Sequence, residues 1–314
     1  MIQTLPHGTY VPLVTPFTEQ GVVDYSGLHT LIDRMLLANV EAIVVMGTTG
    51  ESPTVRAQEF SKIVECAVNR VDGAAAVLSG IGSNDTQASL QQAQVAASLG
   101  VDGLLVVCPY YNKPTQQGLY EHFKSIAEGV PVPQLVYNIA GRTGVNIETD
   151  TLLRLAEIQN IAGVKESSDN IEQISDVIQR LPEEFLVLSG CDHLNFNALC
   201  LGGHGVISTV ANLVPEKVKA MVNAVHDNEF RTAQKLHFEL QRLVTGCFTE
   251  SNPIPVKTAL AMMGHIHEVF RSPLCPMESE NRGHWKTTLE HYNLISSHEP
   301  AGSNLSNERR EQHA

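Results

Sequence analysis

The chain has 314 residues, 43% of them hydrophobic but only 5% aromatic, so it can bury a full core packed mainly by aliphatic side chains. Its formal net charge of −13 argues against a nucleic-acid or anionic-membrane surface, yet leaves small anionic substrates open to a single local arginine. No segment reaches the roughly 20 apolar residues that span a bilayer, and the start, MIQTLPHGTY, lacks the basic and apolar regions of a signal peptide.

Short apolar runs rich in β-branched residues recur along the chain, at 11–15 (VPLVT), 42–46 (AIVVM), 75–79 (AAVLS) and 103–108 (GLLVVC). Four more follow at 133–138 (PQLVYN), 161–165 (IAGVK), 185–189 (FLVLS) and 204–208 (HGVIS). They are apolar on both faces, as expected of parallel strands covered on both sides. Helical stretches lie between them. Asp85 is placed to cap one that runs to about Leu99 before Gly100, Asp169 to open another, and Pro215 to sit in the first turn of the helix after the eighth strand. Eight strands in this alternation predict an α/β fold, a (β/α)8 TIM barrel. An open doubly wound sheet is the competitor, and the count of eight favours closure.

Beyond about residue 226 the strand pattern stops while helical periodicity continues. The expected organisation is a catalytic barrel over 1–226, a small all-helical C-terminal appendage over 227–296, and a polar, disordered tail over 297–314. The six cysteines are scattered without a CxxC pair and make no disulfide framework, so a reduced, cytoplasmic enzyme is expected. There is no HExxH motif, and Cys191-Asp192-His193 and His265-Ile266-His267 are too sparse for a metal centre.

Active sites on this fold lie at the C-terminal ends of the strands. That rule selects GTTGES (47–52), Pro109 to Asn112, Tyr137-Asn138 with Arg142 beyond, and Lys165-Glu166. A lysine ending an apolar strand sits near the barrel mouth, where desolvation favours the neutral, nucleophilic amine. On position alone, a solvated loop lysine or a pair with Glu166 fits as well. GTTGES offers close backbone approach and hydroxyl donors to a carboxylate or phosphate, but an ordinary glycine-rich turn would look the same. Tyr137, one strand from Lys165, can pass protons to a shared substrate or simply pack.

The set GTTGES, CPYYNKP, YNIAGRTG, GVKESS, LSGCD, GGHGVIS and NPIPVK resembles the dihydrodipicolinate synthase family, within the wider N-acetylneuraminate lyase superfamily, over about residues 8–295. The resemblance implies a class I lyase that condenses pyruvate with L-aspartate 4-semialdehyde in lysine and diaminopimelate biosynthesis. It makes Lys165 the Schiff-base lysine, and Tyr137, Thr48 and Tyr111 a proton relay. Thr48 and Thr49 would hold the pyruvate carboxylate, Arg142 would grip the aldehyde's carboxylate, and Ile207 falls where the family has a backbone carbonyl beside the lysine. Tyr111, reaching into a neighbouring subunit's site, implies a homo-oligomer, at least a dimer and usually a tetramer. No cofactor is implied.

The nearest alternative is a related class I pyruvate aldolase, acting on N-acetylneuraminate or a 2-keto-3-deoxy sugar acid. The family's lysine-feedback pocket is matched at Ser52, Asn84 and Tyr110, whereas Ala57, Phe60 and Ala88 replace two histidines and a glutamate of lysine-sensitive members. Ala88 cannot pair with an ammonium, so weak or absent inhibition by L-lysine is expected. A sub-millimolar inhibition constant in a steady-state assay would contradict it.

Overall fold

The computed structural model describes residues 4–296; the tail expected over 297–314 lies outside the described residues. Eight parallel strands close into a barrel in chain order. They are β1 (Gly8–Pro12), β2 (Ala42–Val45), β3 (Ala76–Ile81), β4 (Gly103–Val107), β5 (Gln134–Asn138), β6 (Ile161–Glu166), β7 (Leu186–Ser189) and β8 (Gly205–Ile207). The barrel helices are α1 (Tyr25–Leu37), α2 (Ala57–Val71), α3 (Thr86–Ser98), α4 (Gln116–Gly129), the single turn α5 (Ala140–Thr143), α6 (Thr149–Ala156), α7 (Ile171–Arg180), α8 (Asn195–Cys200) and α9 (Pro215–His226). Three longer-range packers follow, α10 (Phe230–Cys247), α11 (Ile254–Met262) and α12 (Ser279–His291).

Local chemistry sets several of these boundaries. Asp85 caps α3 by accepting from the backbone N–H groups of Gln87 and Ala88, and Gly100 takes the left-handed conformation just past its end. Pro215 is the first residue of α9, where its missing N–H costs nothing. The opener of α7 is Asn170, not Asp169: Asn170 accepts from Glu172 and Gln173, while Asp169 is left-handed with φ of 58°. The first strand also lies three residues earlier than its apolar run. Gly8 to Tyr10 carry the ladder to β8 and Tyr10 to Pro12 the ladder to β2, whereas the N–H of Val14 is taken by the Asn212 side chain at 3.3 Å.

Successive strand residues face opposite sides, and this produces two cores. Tyr10, Val44, Leu78, Leu105, Leu135, Tyr137, Leu188 and Ile207 fill the barrel interior. A larger aliphatic layer, including Val11, Ile43, Val77, Val136 and Val164, packs between strands and helices. The same alternation sends Lys165 inward and Glu166 outward. Helix α12 is anchored by Trp285, whose indole N–H donates to Pro255 O at 2.8 Å.

Candidate active site

The loop after β2 is shaped by backbone geometry. Met46 and Glu51 are both left-handed (φ 61° and 53°), and the N–H groups of Gly50 and Glu51 turn inward to Gly47 O and Thr48 O, each at 3.1 Å. Gly80 on β3 makes this possible, because a Cβ there would lie 2.4 Å from Met46 O. Thr15 Oγ1 donates to Gly50 O at 2.7 Å. The turn presents Thr48 to a cavity of about 470 Å³, which Tyr137, Arg142, Tyr110, Phe60 and Ser52 also line.

Lys165 stands opposite Tyr137 across the β5–β6 ladder, and its Nζ lies 4.2 Å from the centre of the Tyr137 ring. Both side chains are buried. The pairing with Glu166 that position alone allowed does not form. The Glu166 carboxylate instead accepts from Asn138 Nδ2 (3.0 Å), the Ser168 N–H (2.7 Å) and Gln173 Nε2 (3.3 Å) in the helical layer. Burial raises its pKa, against those hydrogen bonds.

Of the other sequence candidates, Arg142 reaches the cavity from α5, with one Nη donating to Asn252 O at 3.1 Å. Thr49, in the same loop, is buried, its Oγ1 accepting from Asn252 Nδ2 at 2.9 Å. Ile207 is buried in the same inner cluster as Tyr137. Tyr111 does not line the cavity: it is left-handed (φ 72°) and 87% exposed. Thus Thr48, Tyr137 and Arg142 line one cavity, Lys165 stands against the Tyr137 ring inside the barrel without itself lining that cavity, Thr49 and Ile207 are buried nearby, and Tyr111 is exposed.

Four features escaped residue-by-residue reading. Asn252 ties Thr49 to Arg142, as above. Glu51, the carboxylate inside GTTGES, is buried in an ion pair with Lys257 of α11. Asp192 is buried under the turn after β8, accepting from the N–H groups of Thr209 (2.9 Å) and Val210 (3.2 Å) and from Asn195 Nδ2 (2.9 Å). Burial raises its pKa, opposed by the Ser208 hydroxyl, those amides and the Lys165 charge, and the bonds fix the backbone just past Ile207. The signal for the buried lysine was present in PIPVKTALAMMG: a charge in so apolar a helix needs a carboxylate partner.

The fourth is Gly190, which packs on the stem of Lys165. A Cβ there would sit 2.6 Å from Lys165 Cε and 2.0 Å from Ser167 Oγ. Gly190→Ala is therefore expected to leave the barrel folded, push the lysine stem aside and lower kcat by about 100-fold, the order of cost of an ångström's misplacement. Turnover measured beside a thermal unfolding curve checks this, and wild-type turnover in a folded variant would refute it.

Chemically, the site offers an inward amine beside a phenol, a hydroxyl-bearing turn and a guanidinium over one cavity. Among the described residues, no group of three or more His, Cys, Asp or Glu side chains is placed to hold a metal ion.

Residues 5–292 match the model of the dihydrodipicolinate synthetase family. The chain is 46% identical over 288 residues to the 4-hydroxy-tetrahydrodipicolinate synthase of Aquifex aeolicus (strain VF5), covering 91% of this chain and 98% of that one. The fold is similar to the crystal structure of dihydrodipicolinate synthase from Aquifex aeolicus, with a TM-score of 0.91 and 45% identity over 93% of this chain and 100% of that one. It is also similar to the chloride-inhibited dihydrodipicolinate synthase from Acinetobacter baumannii complexed with pyruvate, with a TM-score of 0.90 and 36% identity over 92% and 99%.

Proposed function

The chain belongs to the dihydrodipicolinate synthetase family, and from that premise we propose that it condenses pyruvate with L-aspartate 4-semialdehyde, as a 4-hydroxy-tetrahydrodipicolinate synthase does, through a Schiff base on Lys165. The observation that carries the reading is the placement of Lys165 Nζ against the Tyr137 ring, inside the barrel and beside a cavity that Thr48 and Arg142 line.

The unprotonated amine of Lys165 adds to C2 of pyruvate, and the carbinolamine loses water to give an iminium. That cation accepts the electron pair left when a methyl proton departs, so an enamine forms. The enamine carbon attacks the aldehyde. The amino group of the new adduct then closes onto the iminium carbon and expels the lysine. Tyr137 gives and takes the protons, with Thr48 linking it to Tyr111 supplied from a second subunit. The iminium formed on the lysine is the electron sink, so the scheme calls on no cofactor. Thr48 and Thr49 receive the pyruvate carboxylate, and the backbone at Ile207 borders the lysine.

Arg142 distinguishes this reaction from aldol cleavage of sugar acids. A guanidinium binds a carboxylate bidentately, whereas a polyol chain needs several hydroxyl-recognising groups. Among the described residues its guanidinium donates only to Asn252 O, which leaves most of its five N–H donors for a ligand. Arg142→Ala is expected to lower kcat/KM for aspartate semialdehyde by about 100-fold, the loss of roughly one charge-assisted pair. Formation of the pyruvate adduct should be untouched. Unchanged turnover of the semialdehyde would overturn the assignment.

The exposed Tyr111 supports an assembly of at least two subunits, with a tetramer as the proposed form. No described helix is long and apolar enough to cross a membrane. A cytoplasmic location is part of the same proposal.

A further inference from the structure

We propose that Lys257, in the C-terminal helical region, is a positioning residue: its buried ion pair with Glu51 sets the Thr48–Thr49 loop for the carboxylate of the 2-oxo acid. The inference rests on the reading just given of that loop and of Lys165.

Lys257 is fully buried, and its Nζ donates to Glu51 Oε1 and to Val269 O, the latter at 2.8 Å. The ammonium also lies over the Phe17 ring, 4.2 Å from its centre, and 5.2 Å from that of Phe270. The second Glu51 oxygen accepts the backbone N–H of Arg271 at 3.1 Å. Both oxygens of one carboxylate are thus held from the far end of the chain, at a residue whose left-handed backbone closes the turn bearing Thr48 and Thr49. Arg271 extends the hold, donating to Thr54 O at 2.9 Å and pairing with Glu59 at 2.7 Å. On the other side of the turn, Asn252 Nδ2 fixes Thr49 Oγ1.

A pair this deeply buried is poor glue. The desolvation of two charges cancels most of their attraction, and apolar replacements of similar volume are often neutral or stabilising. What the pair supplies is direction, because a salt bridge with two further hydrogen bonds admits one arrangement of the turn where an apolar contact admits several. Burial draws the Lys257 pKa down to about 8, against the pull of the Glu51 carboxylate.

The test uses the full-length protein with pyruvate and borohydride, reading the pyruvate concentration that half-saturates adduct formation. The double variant Lys257→Met/Glu51→Gln removes both charges at nearly constant volume. It is expected to fold, to need about tenfold more pyruvate, the scale set by a modest displacement of the binding hydroxyls, and to keep the wild-type KM for the aldehyde at saturating pyruvate. Glu51→Gln alone, which keeps the shape of the side chain, should shift in the same direction. Phe123→Leu trims a fully buried side chain of α4 that does not line the cavity and should leave pyruvate half-saturation where it was. Wild-type half-saturation in either folded Glu51 variant overturns the inference, as does an equal rise in Phe123→Leu. If the wild-type protein traps no pyruvate at all, the assignment of Lys165 fails first, and the inference with it.

Discussion

Lys165→Met is expected to abolish turnover, by about four orders of magnitude or more, the scale seen when a covalent nucleophile is removed from its site. Methionine nearly matches the length of the lysine stem and keeps a favourable contact with the Tyr137 ring, so the barrel should hold. What disappears is the amine, and with it the only route in the scheme from carbonyl to iminium. The residual rate would come from substrate alignment alone. Turnover of pyruvate with aspartate semialdehyde, measured beside circular dichroism, separates lost chemistry from lost fold. A folded variant within tenfold of wild type would remove Lys165 from the mechanism.

Tyr137→Phe is expected to lower kcat by about 100-fold to 10,000-fold, the range assigned to a positioned general acid–base. The substitution preserves the ring over Lys165 Nζ and its place in the inner core. Only the hydroxyl is lost, so stability should change little and pyruvate binding should be nearly kept. The adduct should still form, but slowly, since dehydration of the carbinolamine and loss of the methyl proton both need a proton carrier. A single-turnover trapping time course reads this directly. Wild-type kinetics would reduce Tyr137 to a packing residue.

The barrel was legible because its strands are buried on both faces, and eight doubly apolar runs leave few architectures. Register was less so: VPLVT reads as a strand from composition, yet the ladder begins at Gly8, where β8 packs so closely that a Cβ on Gly205 would lie 2.1 Å from Gly8 O. That constraint belongs to a neighbour nearly 200 residues away. Asp169 and Asn170 are both good helix openers, and nothing in their side chains says which takes the left-handed turn. The separation of Lys165 from Glu166, by contrast, was available in the sequence, since adjacent strand residues face opposite sides.

The cavity followed the same division. Thr48, Tyr137, Arg142 and Lys165 were found by asking which polar residues end strands. Asn252, Lys257 and Asp192 were not, because their roles depend on which distant groups they meet. Gly190 was invisible for a related reason: its importance lies in the side chain it lacks.

The most direct measurement is borohydride reduction of the wild-type protein in the presence of pyruvate, followed by peptide mass spectrometry. One adduct is expected, with the mass of a reduced pyruvyl imine, on the peptide carrying Lys165, and aspartate semialdehyde in the same mixture should compete for it. No adduct, or an adduct on any other lysine, would contradict the Schiff base on Lys165.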